Sequence, residues 1–188
     1  MTDPLSHRTD PQTLRERYAD PAAVTRRIED LRAEIGHAAD PVGELLARGE
    51  LVELLAAGGR LDEALREAES AADRADMSGN GAQQHMARLR LAQVHTLRGE
   101  FGPSTLLYTE LLAAAERFGP VIEAVTHHAA ALDAYDQGHW SDARQHFARA
   151  LALREEYDLP DDERESSRLG LEAALRRLRE EIPGEDAP

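Results

Sequence analysis

The chain has 188 residues, 36 acidic against 22 basic, and a formal net charge of -14. Every basic side chain is Arg, and neither Lys nor Cys occurs. Without Lys there is no P-loop phosphate site, Schiff-base nucleophile or kinase-type phosphate contact; without Cys there is no disulfide, thiol catalysis or thiolate metal site.

Ala (32), Leu (25), Arg (22) and Glu (21) supply 100 residues, and all are strong helix formers. Val and Ile, which favour strands, number six and four. An all-α protein is predicted, with many small side chains suited to close helix–helix packing. No stretch approaches the ~20 apolar residues of a membrane span. The start Met1-Thr2-Asp3-Pro4 has neither a basic nor an apolar run, so a cytoplasmic location is expected. The acidity argues against nucleic acid, whose phosphates need a basic face.

Asp-Pro pairs punctuate the first forty residues, at Asp3-Pro4, Asp10-Pro11, Asp20-Pro21 and Asp40-Pro41. Asp accepts from free N–H groups at a helix start, and Pro at the first helical position gives up no needed donor. The last three pairs are therefore predicted helix starts, and 1–40 a helical extension or cap. After Pro21, Val24, Ile28, Leu31 and Ile35 fall on one face, ending near Gly36. Beyond Pro41, helices are predicted over 42–57, 61–75, 83–97, 103–117, 121–136, 141–156 and 162–181. They are broken at Gly58-Gly59, at Ser78-Gly79-Asn80-Gly81, at Gly99, at Gly119-Pro120, at Gly138 and at Leu159-Pro160. Residues 41–182 are read as one repeat domain and 183–188 as a disordered tail.

The breaks recur with a fixed period. Gly59-Arg60-Leu61-x-x-Ala64, Gly99-Glu100-Phe101-x-x-Ser104 and Gly138-His139-Trp140-x-x-Ala143 align at separations of 40 and 39. Leu51, Leu91, Ala130 and Leu169 keep the same register before the breaks. Ala68/Ala71, Tyr108/Leu111 and Phe147/Ala150 keep it after them. Such a period signals stacked repeats, each too small to bury its apolar face alone. Gly and Pro at every hairpin argue against a long coiled coil.

This pattern resembles the tetratricopeptide repeat over about residues 42–181, with Leu169-Gly170 matching that family's Leu-Gly pair. Arg48, Arg88 and His127 stand where the family places Trp, and the period exceeds its commonest ~34 residues, like its bacterial long-period members. The resemblance implies a right-handed α-solenoid of three hairpins and a C-terminal capping helix. It also implies a non-catalytic scaffold that binds a protein or extended peptide in a concave groove. The groove positions it implies are Glu50, Glu53, Arg90, Gln93, Thr96, His128, Leu132, Tyr135, Asp136, Arg164 and Arg168. The Lys and Asn that clamp a C-terminal carboxylate in one branch of the family are missing. A groove of mixed charge is expected, with Arg90 and Arg168 forking onto partner carboxylates; the plainer alternative is a set of solvated face residues. A peptide-sensing regulator or a homo-oligomerising module, as a homodimer, are the rival readings.

Nothing points to a cofactor. Of eight His, the chief metal candidates are His127, His128, His139 and His146. Yet His127 and His128 are adjacent on a helix, about 100° apart, and no His-Glu-x-x-His occurs. Gly-x-Ser-x-Gly is absent, Ser104 falls at a packing position, and Gly79-Asn80-Gly81 follows a helix rather than a strand. Trp140 stands two residues after a turn glycine, where it packs a hairpin. No set of nucleophile, base and oxyanion donors can be assigned, so no enzymatic activity is expected.

Overall fold

The computed structural model describes residues 5–181, so the tail expected at 183–188 lies outside the described residues. The fold is all-α: eight α-helices, one short 3-10 turn and a pair of three-residue strands make up the described regular structure. In order these are β1 (His7–Thr9), β2 (Glu16–Tyr18), α1 (Pro21–His37), α2 (Pro41–Ala57), α3 (Leu61–Ser78) and α4 (Gly81–Leu97). There follow α5 (Phe101–Ala114), the 3-10 turn (Ala115–Phe118), α6 (Pro120–Asp136), α7 (Trp140–Glu156) and α8 (Asp161–Glu181).

Two of the three Asp-Pro starts hold. Asp20 Oδ1 accepts from the N–H groups of Ala22 (2.9 Å) and Ala23 (3.1 Å), and Asp40 caps Val42 and Gly43 in the same way. Asp10-Pro11 is a correction: no helix starts there. Residues 7–18 form an antiparallel hairpin pairing His7 with Tyr18 and Thr9 with Glu16. Asp10 closes that hairpin instead of opening a helix: its N–H donates to Arg15 O (2.8 Å) and its carboxylate holds Arg17 Nε (2.7 Å). The apolar spacing needed to bury a helix face is missing between Pro11 and Tyr18, so nothing favours helix there.

The repeat is visible in the backbone. Gly59, Gly99 and Gly138 all take positive φ (73°, 72° and 76°). In each case the following residue's N–H returns to a carbonyl five residues back: Arg60 to Leu55 (2.9 Å), Glu100 to His95 (2.9 Å) and His139 to Ala134 (2.8 Å). This is the same helix-ending bond set used three times, and it needs a residue without a Cβ at the left-handed position. Burial repeats in register with it. Ala64, Ser104 and Ala143 are buried, as are Ala68, Tyr108 and Phe147, and then Ala71, Leu111 and Ala150.

The chain divides into two compact units. Unit 1 holds residues 15–111 with the N-terminal segment through Asp10; unit 2 holds residues 112–181 together with 11–14. In unit 1, α1 packs on α2, α2 on α3 and α3 on α4, around Ile28, Leu31, Leu51, Val52, Leu55 and Val94. In unit 2, α7 lies between α6 and α8 around Phe147, Ala131, Ala143, Ala173 and Ala174, a cluster that Leu14 joins. Gly170 permits that packing. A Cβ on it would overlap the Phe147 ring, 2.5 Å from Cζ.

Candidate functional site

In unit 1, the outward positions of α2 and α4 are already engaged. Glu50 receives both nitrogens of the Arg27 fork, Nε to Oε1 and the second terminal nitrogen to Oε2, each at 2.7 Å. Glu53 receives Arg90 Nε at 2.8 Å. Arg90 reaches it by lying across Gly49, where a Cβ would stand 2.6 Å from the guanidinium carbon. Tyr18 packs against this unit's core, and its phenol pKa is pushed up to about 12 by burial first, then by Glu16, Glu53 and Glu50. It stays protonated at every physiological pH.

Glu50 and Glu53 thus enter internal ion pairs, half-buried Glu50 with Arg27 of α1 and exposed Glu53 with Arg90 of α4. Thr96 is buried and gives its hydroxyl to Ala92 O of its own helix (3.1 Å). Gln93 is half-buried. Arg27 escaped the sequence reading, since it lies outside the repeat. Its signal was only that it follows Val24 by three residues, at the edge of the inward stripe.

Unit 2 presents a different face, formed by α6 and α8. Two rungs join the helices: Ser167 Oγ stands 3.0 Å from His128 Nδ1, and Arg177 Nε donates to Tyr135 Oη at 3.4 Å. Ser167 lies 39 residues beyond His128, one repeat period. Beneath them Arg154 of α7 is buried. It donates to Glu163 O (2.7 Å) and Ser167 Oγ (2.6 Å) and lies 3.3 Å from His128 Nδ1. Its Nε faces Glu163 Oε2 at 3.3 Å without hydrogen-bond geometry. Burial lowers the Arg154 pKa, while Glu163 and Asp162 oppose the shift. Arg154 follows Phe147 and Ala150 at helical spacing, so the inward stripe could have exposed it.

Around these rungs, Leu132, Tyr135 and Leu171 are half-buried against the core of unit 2, and Asp136 is exposed. Arg168 pairs with Glu165 on its own helix (2.7 Å) and lies 3.6 Å from Glu155. Arg164 is held by Asp158 (3.0 Å) and Asp161. Such exposed pairs contribute little, and a partner carboxylate can replace the internal one. Of the eleven implied groove residues, this face gathers His128, Leu132, Tyr135, Asp136, Arg164 and Arg168.

His127 turns away from that face and meets His146, Nδ1 to Nδ1 at 3.0 Å. Its pKa is pushed down to about 4, by burial first and then by His146 and Arg149, against Glu123. Burial lowers His146 too. The pair repeats the rung made by Arg48 and Glu67, also 19 residues apart, at 2.7 Å. His139 opens α7 without capping it through its side chain. Among the described residues, no group of three or more His, Cys, Asp or Glu could hold a metal ion. Among them, too, no helix is long and apolar enough to cross a membrane.

Architecture and surface together define an all-α protein of repeated helical hairpins. No protein-family model matches the chain, and no curated protein does. Among solved structures, the crystal structure of BtubC (BKLC) from P. vanneervenii is similar, with a TM-score of 0.54. The two share 15% sequence identity over 89% of this chain and 93% of that one. At that identity the likeness speaks to the fold.

Proposed function

We propose that this is a non-catalytic protein- or peptide-binding module of the tetratricopeptide type, and that α6 and α8 carry its binding face. The observation that supports the reading most is the composition of that face. Leu132, Tyr135 and Leu171 offer half-buried apolar surface, with exposed Asp136 and Arg168 beside them. An aromatic and two leucines ringed by exchangeable charges suit an extended polypeptide better than a small polar ligand. The in-register hairpins support the family reading: the positions after each turn that resemble its packing sites are buried in all three hairpins. The proposal includes a cytoplasmic setting.

The test uses the purified chain to capture a stoichiometric partner from its native cytosol, followed by titration with variants. Asp136→Arg combined with Arg168→Glu alters only exposed charge, so the fold is retained. The expected result is at least a tenfold loss of affinity, while Arg90→Ala in unit 1 leaves it unchanged. Full affinity in the double variant removes this face from the site.

A further inference from the structure

The imidazoles of His127 on α6 and His146 on α7 meet across their hairpin. Their Nδ1 atoms are 3.0 Å apart, with ring centroids at 5.1 Å and ring planes inclined by 40°. At the same hairpin position in unit 1, Arg48 and Glu67 satisfy each other as opposite charges. The unit 2 pair differs in kind. A His–His hydrogen bond uses one N–H and one lone pair, so one of the two facing Nδ1 atoms carries a hydrogen and the other does not. Both rings are half-buried, so each stays in reach of water. In the sequence, His127 seemed set apart from other donors because its neighbour His128 points elsewhere. Its partner stands one helix further on.

We propose that His127 and His146 form a two-imidazole chelate for a divalent transition-metal ion of tetragonal preference, Cu2+ or Ni2+, with water in the remaining positions. Two nitrogens bonded to one ion at about 2.0–2.1 Å stand about 2.9 Å apart at a right angle and about 3.3 Å apart in a tetrahedron. The 3.0 Å between the two Nδ1 atoms matches the right angle, and imidazole nitrogen is a ligand that Cu2+ and Ni2+ favour. A turn about χ2, a soft torsion in His, aims both lone pairs at one point. The hydrogen on the donating Nδ1 moves through water to Nε2 of the same ring. Both rings then bind as neutral Nε2–H tautomers, and no proton is released. Glu123 of α6 and Asp142 of α7 place negative charge near the rings, and Arg149, which donates to Glu123, opposes it. These carboxylates act through space, since no group of three ligating side chains exists among the described residues. The ion exchanges one hydrogen bond for two coordinate bonds that tie α6 to α7, and so stabilises the hairpin by mass action.

The experiment titrates the full chain with NiCl2, and separately with CuCl2, by calorimetry at about pH 7.5, where imidazole is neutral. The unaltered chain is compared with His127→Phe, His146→Gln and His139→Gln. The last replaces an exposed His in the turn of the same hairpin and controls for adventitious binding by surface imidazoles. The expected result is an affinity at least tenfold weaker in His127→Phe and His146→Gln and unchanged in His139→Gln. Added metal should raise the melting temperature of the unaltered chain and of His139→Gln only. A smaller loss in the two variants, an equal loss in His139→Gln, or no binding by the unaltered chain at millimolar metal overturns the proposal. Melts without metal check that each variant is folded. Should both site variants fail to fold, paramagnetic resonance of the unaltered chain with one equivalent of Cu2+ decides: coupling to two imidazole nitrogens is expected, and coupling to one or none overturns the site.

Discussion

In unit 1, arginine fills the outward positions of the first helices: Arg27 forks onto Glu50, and Arg90 crosses Gly49 to reach Glu53. In unit 2, Leu132 of α6 and Leu171 of α8 stand at the position of Glu53, and both pack against a core cluster that includes Leu14. Each half also has one glycine whose missing side chain makes the packing possible. At Gly49 the neighbour is the end of a flexible guanidinium; at Gly170 it is a fully buried ring. A charged closure can shift at small cost because water solvates the released groups, whereas a packed ring cannot move without opening a cavity. The closure over Gly49 is thus adjustable, whereas the packing on Gly170 is rigid.

The sharpest way to break this contrast is Phe147→Ala. Removing a fully buried ring at the centre of unit 2 is expected to cost about 3–5 kcal/mol, measured by denaturant unfolding. Gly170→Ala forces a methyl into that ring, with an expected cost of roughly 1–3 kcal/mol. Gly49→Ala should cost less than about 1 kcal/mol, since Arg90 can swing away and lose only a part-exposed pair. Equal costs for the two glycine variants would erase the distinction.

A smaller effect comes from His127. The unfolded ring takes up its proton near pH 6.5, but the folded one does so only near pH 4. Between those values the unfolded chain binds more protons, so stability is complete above about pH 6.5 and falls as pH drops towards 4. With water still reaching part of the ring, the loss is of order 1 kcal/mol. His127→Phe should flatten that window in a stability-against-pH series, and an unchanged slope would contradict the shift. Glu53→Gln is the mildest: a few tenths of a kcal/mol, with no change in partner binding.

The hairpins were legible because glycine, proline and the inward stripe repeat every 39 or 40 residues, and each leaves a backbone or burial consequence. The helix starts at Asp20 and Asp40 were legible for the same local reason. Asp10-Pro11 misled, because a cap signal says nothing about whether the next residues can bury a face. The internal pairing of part of the candidate surface was hidden for a related cause. Alignment to a repeat finds the outward positions of Glu50, Glu53 and Arg90, but not that Arg27, in a helix outside the repeat, occupies one of them. Leu14 carried no signal at all: a lone leucine among polar residues has no periodicity, and only its burial marks it.

Amide hydrogen exchange across the whole chain tests the contrast between the two halves most directly, comparing the unaltered protein with the Gly170→Ala and Gly49→Ala variants. Faster exchange is predicted in α6, α7 and α8 of Gly170→Ala, with unchanged rates in α2 and α3 of Gly49→Ala. Equal loss of protection in both variants, or none in α7 and α8 of Gly170→Ala, would contradict it.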